Sequence, residues 1–257
     1  MGDGIYTALT GAIAQEHSLD VVSNNVANAS TAGFRGDRVV FGELLASAQK
    51  NPNIDPRQPE PTISDKFVRA EENVLDLRNG FLKPTGNPLD LAIGGEGFFT
   101  VRTPAGDRLT RAGKCMLKDA GNMSTALVTV DGNYMLDDQG EIIVFPRDVK
   151  DIQIIEDGTV RVDGYDYARL GIRTVMNGKQ LVRAGATLFS LEPGTKMVEP
   201  EVIDIRQGHI EASNITSMVG LGQLITINRT FDALQRVIQT FQQMDQRTAR
   251  DIGSRTG

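Results

Sequence analysis

Apolar positions along this chain change rhythm twice. Leu224, Ile227, Phe231, Leu234, Ile238 and Phe241 recur at intervals of 3, 4, 3, 4 and 3, which predicts a C-terminal helix with a narrow seam of the coiled-coil type. Asn228, Arg229, Asp232, Gln235, Arg236, Gln239 and Gln242 keep its other faces polar, and Asp245 ends the stripe. A stripe so narrow needs a partner helix. A weaker seam at the other end, Ile5, Leu9, Ala12, Leu19 and Val26, has the same rhythm with Glu16 and Ser23 filling two positions. These eleven residues are the candidate assembly interface, through which the two ends bury against each other and against neighbouring copies.

Between the helices the period shortens. Leu89–Ile93, Phe98–Val101, Leu127–Val130, Ile142–Phe145, Ile152–Ile155, Thr159–Val162 and Leu170–Val175 are short apolar or alternating runs, the pattern of β-strands. Asn79-Gly80, Asp131-Gly132, Gln139-Gly140, Asp157-Gly158, Asp163-Gly164 and Asn177-Gly178 supply residues that tolerate positive φ in tight hairpin turns. The pattern predicts an all-β region of hairpins, a sandwich or open barrel. Pro52, Pro56, Pro59 and Pro61 mark Asn51–Pro61 as an extended linker or arm, and the polar stretch Glu192–Pro200 begins the return to the last helix. The expected fold is α+β: an N-terminal helix over 1–35, a proline-rich arm over 36–73, a central β domain over 74–205 and a C-terminal helix over 206–257.

Composition narrows the function more than the fold. The 257 residues have a net charge of −6, with no run of Lys and Arg, so nucleic acid is set aside as a partner. No apolar stretch reaches the roughly 18 residues that a membrane helix requires, and the first residues lack the basic and apolar regions of a secretory signal. Any export is then expected by another route. The single Cys115 makes no intramolecular disulfide and is read as a small buried hydrophobe.

Candidate chemistry is thin. Gly94-Gly95-Glu96-Gly97 lacks the Lys-Ser/Thr pair of a phosphate loop and runs into Phe98-Phe99, so a turn or bulge accounts for it better. His17 and His209 lie far apart, with no Cys or carboxylate at ligand spacing. Glu71-Glu72 and scattered Asp residues would have to converge in a cleft to act as the acid and base of a glycan hydrolase. The sequence asks for no cofactor, metal or catalytic residue.

One run is specific. Leu19 to Arg35 contains Asn24, Asn25, Asn28, Thr31, Gly33 and Phe34 as Asn-Asn-x-Ala-Asn-x-x-Thr-x-Gly-Phe-Arg, and it resembles the signature of flagellar basal-body rod and hook proteins. Physically, the three Asn side chains can bond backbone groups where a helix frays, Gly33 offers a turn position, and Phe34 anchors the next segment of chain. Gly86–Phe99 with Leu109–Gly113 is similar to the family's entry into its β domain, and Gln207–Ile215 to the run before its last helix. Length favours the rod over the longer hook proteins, and Ile5–Ala8 together with Asn28–Arg35 looks closer to proximal-rod than to distal-rod members. Two features depart from the pattern: Cys115 stands where the family has an aromatic, and Asn122–Ala126 reads as a short insertion.

The resemblance implies a non-catalytic subunit that leaves the cell through the flagellar export apparatus and stacks helically around a channel. Its partners would be further copies of itself and neighbouring rod proteins, carrying torque from motor to hook in the periplasmic basal body. An adaptor using the same helices transiently, or a wall-active enzyme, are the readings from other classes.

Overall fold

The computed structural model describes residues 2–45, 66–121, 123–175 and 180–253. The chain forms two compact units: Met1–Asn24, Asp37–Val74 and Met218–Gly257 make one, Asn25–Gly36 and Leu75–Ser217 the other. The predicted arm Asn51–Pro61 and the Asn177-Gly178 turn lie outside the described residues. The strands Asp37–Leu45 and Lys66–Leu75 form a two-stranded sheet, where the sequence pattern suggested only an extended linker.

In the first unit, helix α1 (Gly2–Ala27) packs with helix α2 (Ser217–Gly253). A Cβ placed on Gly4 would stand 2.8 Å from Phe241 Cζ, and one on Gly11 3.5 Å from Leu234 Cδ1. Seven residues forward on α1 thus match seven residues back on α2, and the helices run antiparallel. Leu224, Ile227, Phe231, Leu234, Ile238 and Phe241 are all half-buried, with exposed residues between them. The α1 side is different. Ala8, Ala12, Ala14, Ser18 and Val21 are buried, Ile5, Leu19 and Val26 are half-buried, and Leu9 is 46% exposed. Bulky side chains on α2 already fill the space between the helices, so α1 presents glycine, alanine and serine there, as close interdigitation requires.

The second unit is built on a ten-stranded sheet that does not close into a barrel. Its spine is the strand Phe98–Thr103, which pairs antiparallel with Gly106–Thr110, Tyr134–Met135 and Ile172–Val175. Both faces of this strand are covered. Phe99 and Val101 join Leu127, Met135, Phe145, Leu170 and Ile172 in one cluster, whereas Phe98 meets Leu109, Leu181 and Phe189 in another. Burial on both faces explains why Phe98-Phe99 are adjacent aromatics instead of an apolar–polar alternation. A three-stranded sheet, Ile152–Ile154, Thr159–Val162 and Tyr165–Arg169, adds Ile154, Val160 and Val162 to the first cluster.

Turn chemistry was informative with one exception. Gly132, Gly140, Gly158 and Gly164 have φ of 83°, 86°, 89° and 88°, and Asp163 joins Gly164 at 48°, the consecutive positive values of a type I′ hairpin turn. Gly80 is absent from the positive-φ set. It is a close-approach glycine, since a Cβ there would lie 1.8 Å from the Ala212 carbonyl oxygen. The stretch 122–126, read from the sequence as a short insertion and of which Asn122 lies outside the described residues, falls in a hairpin. Cys115–Gly121 pairs with Ser124–Thr129 from Cys115↔Thr129 outward, with a register shift at Asp119/Gly121 and positive φ at Gly121 and Met123.

Cys115 is buried, as its residue type suggested, and loss of solvation pushes its thiol from 9.0 up to about 12. A thiol so raised favours the folded state below pH 9, and this contribution fades as pH rises from about 9 towards 12. At pH 8 the native protein should therefore carry about a thousandfold less thiolate than an unfolded chain. Iodoacetamide labelling in buffer and in urea tests this; comparable native and denatured rates would show that the site is open to solvent.

Candidate assembly site and the buried charge cluster

The signature residues do not line a cleft; they seat the chain. α1 ends in successive turns, with Thr31 N–H donating to the Asn28 carbonyl at 3.0 Å and Phe34 N–H to the Thr31 carbonyl at 3.3 Å. Thr31 Oγ1 also donates to Asn28 Oδ1 at 3.4 Å. Asn24 is exposed, whereas Asn25 is buried. Gly33 has φ of 72° and lies so near the next motif that a Cβ would stand 2.3 Å from Ala112 N; side chains are excluded there twice over. Phe34 is fully buried, with the Arg183 guanidinium 5.0 Å from its ring centre.

Next to Phe34 lies the most demanding feature of the structure. Arg35 and Glu211 are both fully buried, and Arg35 Nη2 donates to Glu211 Oε1 at 2.6 Å. Arg111, 3% exposed in its side chain, donates from Nη1 to Glu211 Oε2 at 3.1 Å. One carboxylate thus holds two guanidinium groups. Glu211 Oε1 also accepts from Gly80 N–H at 2.8 Å, and its backbone carbonyl accepts from Gly33 N–H at 2.8 Å. Arg35 Nη2 also donates to Asn79 Oδ1 at 3.2 Å, and Arg111 donates from Nη2 to the Gly95 carbonyl at 2.8 Å and from Nη1 to the Ile93 carbonyl at 3.3 Å. Arg183 donates to the Arg35 carbonyl.

Two cations and one anion leave an excess positive charge inside. Arg35 Nε and Nη1 and Arg111 Nε are buried with no hydrogen-bond partner among the described residues. Desolvation is the main influence on Arg111, lowering it from 12.5 to about 10 despite the attraction of Glu211; it stays cationic at neutral pH. Such a cluster contributes little net stability over an apolar replacement, but it is costly to leave half-made. Its effect is to specify which three segments must meet.

Asn214 works beside it. Its side-chain amide donates to the Asp76 and Arg78 carbonyls at 2.8 and 3.1 Å, and its oxygen accepts from Gly36 N–H at 2.9 Å. Neither Asn214 nor the Arg35–Glu211–Arg111 cluster was singled out by periodicity. The available signal was charge set among small and apolar residues, as in Gly33-Phe34-Arg35 and His209-Ile210-Glu211-Ala212.

The residues of possible chemistry are placed in structural roles. His17 Nε2 is 2.9 Å from Asn73 Oδ1, and His209 Nδ1 is 2.9 Å from the Gln207 carbonyl. A groove of about 510 Å³ is lined by Thr100, Leu109, Asp107, Asp137, Asp138 and Arg173 among others. Two of its carboxylates are used locally: Asp107 pairs with Arg102 at 3.0 Å, and Asp137 Oδ1 accepts from Gln139 and Glu141 N–H in a turn. The side chains of Glu71 and Glu72 lie outside the described residues.

The chain joins a two-helix unit with a long half-buried seam to a β unit locked by a buried ion cluster. Three family models match the chain: flagella basal body rod protein at residues 5–35, the flagellar hook protein FlgE/F/G D1 domain at 92–162, and the flagellar basal body rod FlgEFG protein C-terminal region at 206–251. The chain is 31% identical to the flagellar basal-body rod protein FlgF of Rhizobium meliloti over 90% of both chains. It is 26% identical to FlgF of Mesorhizobium japonicum over the full length of both. Identity to FlgG of Bacillus subtilis is 29%, over 92% of this chain and 94% of that one. The chain belongs to the flagellar basal-body rod protein family, a structural family and not one of enzymes. Each of the three matched stretches supplies one member of the buried cluster: Arg35, Arg111 and Glu211.

Glu211→Gln should remove the anion that two guanidinium groups share and lower unfolding free energy by about 3–5 kcal/mol. Arg111→Met removes the excess charge while keeping the Arg35–Glu211 pair, and should be milder, at most about 2 kcal/mol. Urea unfolding followed by circular dichroism ranks the two. The opposite ranking would mean that the excess charge is neutralised by something other than Glu211.

Proposed function

We propose that this chain is a subunit of the proximal rod, built into the basal body through its terminal helices and passing torque from the motor towards the hook. The kinship to FlgF proteins over nearly the whole chain supports the proximal position. FlgG proteins are almost as similar, so a distal-rod position is the second reading. An adaptor would bury its seam once and remain a monomer, whereas a rod subunit keeps further apolar surface for its neighbours. The half-buried seam on α2 and the exposed Leu9 favour the latter.

The single observation that carries the reading is the helix pair. Leu224, Ile227, Phe231, Leu234, Ile238 and Phe241 recur in a coiled-coil rhythm, Leu234 and Phe241 packing on α1, yet all six remain only partly covered, and full burial of such a side chain contributes about 1.5–3 kcal/mol. Neighbouring copies and other rod proteins supply the missing cover, with Ile5, Leu9, Ala12, Leu19 and Val26 contributing from α1. Among the described residues no helix is long and apolar enough to cross a membrane. The chain reaches the periplasmic part of the basal body through the flagellar export apparatus, for which helices of marginal stability outside the assembly are suited.

Leu234→Asp places a carboxylate opposite Gly11 and should block incorporation and swimming while the β unit keeps its fold. Gln235→Ala, on the exposed side, should leave both nearly unchanged. Basal bodies isolated from each strain, together with swim-plate diameters, decide the matter. Equal effects of the two substitutions would sink the seam as the assembly element.

A further inference from the structure

The groove in the β unit has a floor that the strand register defines. Thr100 stands opposite Leu109, and Leu109 opposite Phe189, so the three share one face of three adjacent strands. Arg173 stands opposite Phe98, two residues from Thr100, and Met197 opposite Val175, two residues from Arg173, which brings both to the same face. Leu109 and Phe189 are buried, whereas Met197 is 47% exposed. At about 510 Å³ the groove is within the size range of small-molecule sites, roughly 300–1,000 Å³.

One wall is held in place before any ligand arrives. The turn at residues 137–140 is tied down by Arg102 Nη2 donating to the Gly140 carbonyl at 2.8 Å, Asp138 N–H donating to the Arg169 carbonyl at 3.0 Å, and Arg173 Nη2 donating to the Asp138 carbonyl. A wall fixed in this way spares a ligand the cost of ordering it. Two opposite charges on the groove are left without a partner among the described residues: the carboxylate of Asp138, and the Nε and Nη1 side of Arg173. They make no ion pair with each other. Because the Arg173 guanidinium sits on the backbone oxygen of Asp138 itself, it lies within about 8 Å of that residue's carboxylate.

We propose that the groove binds a free apolar α-amino acid, with its ammonium on Asp138, its carboxylate on Arg173 and its side chain on Leu109, Phe189 and Met197. An ammonium and a carboxylate on one carbon, with a hydrogen bond of about 2.9 Å at each end, span such a separation. A lone carboxylate would meet Asp138 and a lone ammonium would meet Arg173, so each is repelled by one of the two groups that a zwitterion satisfies together. A peptide fits less well, because every added residue moves its terminal charges apart by about 3.3–3.6 Å. The site belongs to the β unit alone and does not depend on the rod reading.

The test titrates the purified full chain, isotope-labelled at its methionine methyl groups, with leucine, and follows by NMR the Met197 resonance assigned through Met197→Leu. The expected result is a saturable shift of Met197 and none of Met116 or Met123, which lie on another hairpin. Asp138→Asn and Arg173→Gln should each weaken binding about tenfold, and so should replacing leucine by N-acetylleucine or leucinamide, each of which lacks one of the two charges. Asp138→Asn keeps the carbonyl that holds Arg173, so it decides alone if Arg173→Gln disturbs the turn. Absence of a saturable shift with leucine up to tens of millimolar would overturn the proposal, as would unchanged affinity in Asp138→Asn or equal binding of N-acetylleucine or leucinamide. Equal binding of glycine would remove the floor from the site and overturn it too. Tighter binding of the tripeptide Ala-Leu-Ala than of leucine would assign the groove to a peptide instead.

Discussion

Everything in the β unit depends on one carboxylate. Glu211 is shared by Arg35 and Arg111, which lie far from it and from each other in sequence, so the unit cannot be completed until segments from near both ends of the chain have met. The glycines serve this meeting. Gly33 sits against Arg111 and Ala112, and Gly80 against Ala212, because a guanidinium and a carboxylate can be buried together only if the backbones carrying them come close enough to share the remaining hydrogen bonds. With two cations to one anion and three buried nitrogen atoms unpaired among the described residues, the arrangement is a poor source of net stability. What it supplies is a penalty for every wrong pairing, since any alternative strands a charge in a dry interior.

The helical unit follows the opposite design. Its contact is apolar and divided unevenly: leucine, isoleucine and phenylalanine on α2, glycine, alanine and serine on α1. A large-into-small surface allows close approach without fixing charges, and its stability scales with how much apolar area the surroundings cover. Completion of the β unit is internal to one chain, whereas on the reading proposed above completion of the helices is left to neighbours. A subunit built into an array in that way needs both behaviours, placed in different parts of the molecule.

Sequence pattern revealed much of this, unevenly. The α2 seam was legible because its bulky residues repeat without interruption, and most hairpin turns were legible because Asp-Gly and Gln-Gly mark positive φ. The α1 contact was hidden for a physical reason. A search for large apolar residues selects Leu9, but apart from Val21 the buried residues of α1 have almost no side chain, and these have little hydrophobic signal of their own. Strands such as Gly106–Thr110, Leu82–Pro84 and His209–Glu211 were missed because polar or edge positions break their alternation. The charge cluster was hidden because arginine and glutamate ordinarily read as surface; only their fixed places in the three motif runs hinted otherwise.

The signature thus has a different meaning from the one its position suggests. A motif at the exit of a terminal helix in an assembling protein invites the reading that it makes the assembly contact. Here Gly33, Phe34 and Arg35 are all buried within their own unit, each held by a partner from a distant segment of the same chain: Gly33 by Glu211, Phe34 by Arg183, Arg35 by Glu211 and Asn79. Buried groups cannot choose a neighbour. They can only fix the fold that presents the surfaces which do.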